Sequence, residues 1–208
     1  QYAYLAGIKG KKSLDVDHYV VESLFTTITN VNFDSENLKS LIEKGLTIRE
    51  EARKLYLESG ETPIQLVGPA IWSGELTSEA VEKQMEEVGV AGRISRMGED
   101  SSGIFELGIY GLKGLSAYVD HARVLGQESE EIYLEIHRLL SYYSSEEHDL
   151  DSLLEAALAV GALNLKVMEL LDKANTETYG HPVPTKVRTT GLKGKAILVS
   201  GHDLKDLG

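Results

Sequence analysis

Ile104-Phe-Glu-Leu-Gly-Ile-Tyr-Gly-Leu-Lys-Gly-Leu-Ser-Ala-Tyr-Val-Asp-His-Ala122 is the stretch on which the fold class turns. Ile104, Leu107, Gly108, Gly111, Leu112, Leu115, Tyr118, Val119 and Ala122 recur at intervals of three and four, the spacing of one helix face. The periodicity predicts a helix from Ser101 to Leu125, the longest in the chain, ended by Gly126 at its C′ position. Each glycine inside a helix costs about 1 kcal/mol relative to alanine. Gly108, Gly111 and Gly114 therefore call for a close-packed neighbouring helix, or a cofactor, to compensate.

The same period extends in both directions. Downstream, Glu128–Tyr143 points Ile132, Ile136, Leu139 and Leu140 inward. A further helix capped by Asp149 or Asp151 runs to Asn175, with Leu153, Leu154, Ala157, Leu158, Gly161, Leu165, Met168 and Leu171 inside. Upstream, Ser78–Val88 reads as a short helix capped by Thr77 or Ser78, with Val81, Met85 and Val88 inward. Residues 89–101 read as irregular, and 60–72, with two prolines, as a loop. Leu38–Leu57 is a helix opened by Asp34 as N-cap; Asp15–Thr29 is another, capped by Asp15 or Asp17; Gln1–Ile8 is a helix tail. The reading is mainly α: a helical domain over 1–190, in two subdomains of about three helices with a boundary near 60–100.

Residues 191–208 read differently. Ala196–Val199 is a short apolar, β-branched run, a strand signal. Ser200 and Gly201 break it, and Asp203–Asp206 looks like an acidic first helical turn. Strand, tight turn and helix N-terminus is how an open α/β sheet begins a ligand site. His202 stands in that turn, as a ligand-facing imidazole or as a residue that merely caps and packs it. The element is begun and not finished, so a longer protein with an α/β domain is expected, and the remainder of its own chain is the expected partner.

Composition bounds the function. The chain has 208 residues, 42% of them apolar and 26% charged, an ordinary globular balance. A net charge of −12 argues against nucleic-acid binding and against an anionic membrane surface. No apolar run is long enough to span a bilayer, so a cytoplasmic location is expected. Cysteine is absent, which leaves no thiolate for a metal cluster. Of the six histidines, no two stand at i, i+4 with an acid between. His121 and His137 read as structural or surface groups within helices, and His148 as a solvated turn residue. No Gly-x-Gly-x-x-Gly or Gly-x-Ser-x-Gly motif is present.

Four stretches closely resemble the hybrid cluster protein, or hydroxylamine reductase, family: Leu24–Asp34 (Leu-Phe-Thr-Thr-Ile-Thr-Asn-Val-Asn-Phe-Asp), Ile109–Ala122, Leu170–Pro182 (including Tyr179-Gly-His-Pro182) and Ile197–Asp206 (Ile-Leu-Val-Ser-Gly-His-Asp-Leu-Lys-Asp). They fall in the family's order along nearly the whole chain. The resemblance implies two three-helix bundles followed by the first strand of a Rossmann-like α/β domain. It implies a hybrid iron–sulfur–oxygen cluster between domains, a second iron–sulfur cluster, hydroxylamine as substrate and an external electron donor. It implies that His202 is an iron ligand, and that Thr29 and Asn30 approach the cluster pocket; on local grounds the latter two equally end a helix. The family's cysteine and glutamate ligands have no counterparts here, so this chain alone is expected to bind no cluster and to be inactive. The related carbon monoxide dehydrogenase branch shares the architecture, but Thr27-Ile-Thr-Asn30 and Tyr179-Gly-His-Pro182 fit the hydroxylamine reductase side better. A non-enzymatic acidic helical scaffold is the reading that remains if no α/β domain follows.

Overall fold

The computed structural model describes residues 1–28, 34–66, 70, 77–145, 148–199 and 205. Seven helices are described: α1 Tyr2–Gly7, α2 Leu14–Thr26, α3 Ser35–Glu58, α4 Ser78–Val88, α5 Val90–Val124, α6 Glu130–Tyr143 and α7 Leu150–Tyr179. The fold is mainly α, as the periodicity implies.

Helix ends are set by local chemistry. Asp34 Oδ1 accepts from the backbone N–H of Glu36 and Asn37, both at 3.1 Å. Thr77 Oγ1 accepts from Ala80 N–H, and Asp149 Oδ1 accepts from Ser152 N–H at 2.8 Å. Beyond α5, Gly126 takes φ +81° while its N–H donates to Arg123 O and that of Gln127 to Ala122 O, a Schellman closure. Ser13, not Asp15 or Asp17, caps α2 by accepting from Val16 N–H. Its hydroxyl also donates to Glu51 of α3, tying the two helices together.

Two stretches differ from the sequence reading. Residues 90–97 are helical, and Gly98 at φ +81° lies outside helical geometry, so this run meets the rest of α5 across a kink. The segment before the break is anchored by an ion pair from Arg93 to Glu106 at 2.6 Å and by Met97 against the core. Helix α7 continues to Tyr179, where Gly180 at φ +81° stops it.

The buried side chains form two clusters. One joins α1, α2 and α3 through Tyr2, Ala6, Val16, Ile48, Ala52 and Tyr56. The other joins α5, α6 and α7, with Val21 of α2 added to it. Helix α2 thus serves both. In the second cluster α5 and α7 run parallel: Val160 packs at Gly111, and Gln127 donates to Glu177 at 2.8 Å. Helix α6 runs against both, its last turn placing Tyr143 on Phe105 and Tyr142 on Ser152. Gly108 and Gly111 are compensated by close packing, the first beneath the Tyr143 hydroxyl. Gly114 is not; nothing lies within 4 Å of where its Cβ would be.

The inward assignment holds for only one of two apolar rows on the long helices. Leu112, Leu115, Val119, Leu153 and Leu163 are buried, but Leu107, Tyr118, Leu154, Leu158, Leu165 and Met168 are exposed, as is Met85 of α4. Residues 181–199 have no regular secondary structure, and Ile197 and Leu198 are 92% and 95% exposed. A strand needs a neighbouring strand to pair with, and none is among the described residues. None of the described helices is long and apolar enough to cross a membrane.

Candidate functional site

His202, Thr29 and Asn30, the residues singled out from the sequence, lie outside the described residues. Their approaches are described. Thr27 closes α2, donating its hydroxyl to Leu24 O at 2.8 Å. Phe25, two residues back, meets His121 on α5 edge to face, with ring centroids 5.5 Å apart. The peptide leading to Thr29 therefore leaves α2 beside the C-terminal half of α5. The path to His202 is the exposed connector after Gly180.

Between α2 and α6 the fold assembles a polar cluster that the sequence reading left as separate residues. Asp17 Oδ1 and His137 Nε2 are 2.6 Å apart and buried, the residues 9% and 7% exposed. One position along α2, His18 Nε2 lies 2.6 Å from Glu128 Oε2, and the same oxygen accepts from Tyr133 Oη at 2.7 Å. Burial, then the hydrogen bond to Glu128, pushes the Tyr133 phenol far above its ordinary range. Burial works against the Glu128 carboxylate, but the hydrogen bonds from His18 and Tyr133 outweigh it and hold its pKa below the usual value. The sequence did carry a signal: Asp17 stands one turn before Val21, a charge on the apolar row of its helix.

These groups satisfy one another. The crevice beside them, bordered by Lys11, Ser13 and Leu134, has about 20 Å³ of free space, room for a water but not for an organic substrate. The cluster clamps α2 to α6 and the residues just before it, and offers no free acid or base. Among the described residues, no three His, Asp or Glu side chains converge on a point where a metal ion could bind.

His148 is not the solvated turn residue expected. Its ring packs against Tyr142 at 4.8 Å and Phe105 at 5.4 Å, and no hydrogen bond of good geometry reaches either nitrogen. Burial lowers its pKa, with backbone groups of Ser145 and Tyr143 opposing only in part. The Tyr143 hydroxyl and Ser102 Oγ nearby are likewise buried without partners, and burial pushes the Tyr143 phenol up to about 12. Arg93 stacks over the Phe105 ring, 4.4 Å from its centroid.

The class defined by this architecture is a cysteine-free, acidic, mainly helical unit with two buried clusters, leading into an exposed segment without regular secondary structure. A family comparison identifies it: residues 3–208 match the Prismane/CO dehydrogenase family, and the chain belongs to that family. It is 43% identical over its whole length to a hydroxylamine reductase of Acidithiobacillus ferrooxidans, and 39% identical to that of Rhodospirillum rubrum. It is 44% identical over 92% of its length to a hydroxylamine reductase of Thermodesulfovibrio yellowstonii. The chain spans 38% of the length of the first two and 34% of the third.

Proposed function

We propose that this chain is the helical portion of an iron–sulfur oxidoreductase that reduces hydroxylamine. The balanced reaction takes hydroxylamine, two protons and two electrons to ammonia and water, with the electrons supplied by an external donor. What carries the reading is the match of the whole chain to proteins named hydroxylamine reductase. The parent protein would hold a hybrid iron–sulfur–oxygen cluster and a second iron–sulfur cluster, and the hybrid cluster would supply the redox chemistry.

This chain's residues do not fit a cluster by themselves. It has no cysteine, and iron–sulfur clusters are held mainly by cysteine thiolates. The role assigned here is therefore scaffolding plus one ligand, the neutral imidazole of His202, a donor suited to iron. Thr29 and Asn30 would line the pocket and offer a hydroxyl and an amide to a small N–O substrate. The remaining ligands come from other parts of the parent polypeptide.

The test uses the full-length protein. His202→Ala should abolish hydroxylamine-dependent oxidation of a reduced dye while leaving the far-UV circular dichroism unchanged. Undiminished turnover would refute the ligand assignment. Anaerobic reconstitution of the 208-residue chain with iron and sulfide should give no stoichiometric iron and no charge-transfer bands. The carbon monoxide dehydrogenase alternative predicts nickel in the complete protein, which metal analysis would detect.

A further inference from the structure

From Thr77 to Asp100 none of the described side chains is buried. The buried residues of α5 all follow Gly98, from Ser102 onward. Met85, Val90 and Ile94 are 64%, 50% and 39% exposed. Local stability tracks buried apolar contact, and the elements that open first are those with least of it. Helix α4 and residues 90–97 are therefore the part of the helical body that is held most lightly.

Within itself this stretch is tied closely. The Gly89 N–H donates to Met85 O at 2.8 Å and the Arg93 N–H to Gly89 O at 3.0 Å, so α4 passes into residues 90–97 without a loop. Arg96 Nη1 donates to Glu87 O at 2.7 Å across the corner, and a Cβ at Gly92 would meet the Glu86 carbonyl oxygen. Its ties to the body are few. Helix α4 packs chiefly on α5, Met97 reaches the core, and Arg93 pairs with Glu106, the two side chains 17% and 20% exposed. The Arg93 guanidinium also covers the Phe105 ring. Glu106 and Phe105 both lie beyond Gly98, so the pair spans the kink. Gly98 itself has φ +81° and ψ 170°, a conformation essentially reserved for glycine, with nothing within 4 Å of its Cβ position.

Beneath Arg93 lies a group of polar atoms with unmet hydrogen bonds. Phe105 touches the rings of Tyr143 and His148, and Ser102 stands one turn before it on α5. The Tyr143 hydroxyl, Ser102 Oγ and both His148 nitrogens are buried without partners. A buried polar group left unpaired costs free energy that water would return. The closed arrangement carries that cost, and it narrows the gap to an opened, hydrated one.

We propose that α4 and residues 90–97 move as one arm about Gly98, latched by Arg93, and that release of the latch admits water to the Phe105, Tyr143 and His148 group. The proposal rests on the packing of residues 77–148 alone, so its failure would leave the reductase reading standing.

Hydrogen exchange on the full-length protein, read by mass spectrometry, tests it. Amides of 80–97 should exchange together, about tenfold or more faster than those of 101–122. Arg93→Ala should speed the arm a further ten- to hundredfold or so, about the worth of a charge-assisted hydrogen bond, and leave α7 unchanged. Gly98→Ala, which denies the pivot its backbone conformation, should also speed the arm alone. Diethyl pyrocarbonate should modify His148 faster in Arg93→Ala than in the unsubstituted protein. Protection of the arm equal to that of 101–122 would overturn the proposal. So would acceleration that reaches α7 equally, or His148 labelling that does not change. Should the substituted proteins fold poorly, the comparison of 80–97 with 101–122 in the unsubstituted protein decides by itself.

Discussion

Gly108→Ala and Gly114→Ala make the same chemical change six residues apart on one helix, and the packing predicts opposite outcomes. Alanine in place of glycine in a helix interior gains about 1 kcal/mol at either site. At Gly114 nothing opposes the gain, since the space around its Cβ position is open. At Gly108 the new methyl overlaps the Tyr143 hydroxyl and Cζ and stands 3.2 Å from Cε1. The ring cannot swing aside freely: Phe105 holds it edge-on at 5.0 Å and Tyr142 at 5.2 Å. Overpacking of a rigid core group costs about 1–3 kcal/mol, and the full overlap here argues for the upper part of that range. Gly108→Ala should therefore lose about 1–2 kcal/mol net while Gly114→Ala gains about 1. At this chain length each kcal/mol moves Tm by about 2–4 °C, so the two variants should melt about 5–10 °C apart by circular dichroism. Equal melting temperatures, or a more stable Gly108→Ala, would refute the packing argument.

Tyr143→Phe removes a buried hydroxyl that has no partner, so urea unfolding should show it neutral or more stable by up to about 1 kcal/mol; a loss beyond that would reveal an unseen hydrogen bond. Asp17→Ala leaves the buried His137 without its hydrogen-bond partner and should cost about 1–3 kcal/mol, whereas the double variant Asp17→Leu/His137→Leu should recover most of it; a double-mutant cycle measures the difference. The pKa values of His148 and Glu128 are both depressed in the folded state, so in each titration window the unfolded chain binds more protons and stability falls as pH is lowered. The His148 part should appear as the pH drops below about 6.5 and be abolished by His148→Phe; the Glu128 part should appear below about 4.5. Asp149→Ala should cost about 1 kcal/mol through loss of the α7 N-cap, while Asp151→Ala, one position inside the helix, should cost clearly less in the same melts.

What the amino-acid sequence determined alone is what a single helical turn decides. Asp34, Thr77 and Asp149 cap because a short polar side chain reaches an N–H two or three residues on, and Gly126 ends α5 because it accepts a positive φ; none of this needs a distant partner. The resemblance carried by Leu24–Asp34 and Leu170–Pro182 likewise depended only on residue order. Tertiary structure decided everything that requires a second segment. The long helices carry two apolar rows each, and periodicity has no means of saying which row meets the bundle, so Leu158 and Leu165 read as core although they face outward. Asp17 found His137 across 120 residues, and His148 lost its water to three aromatic rings brought by other turns of the chain. Burial is a property of the partner as much as of the residue.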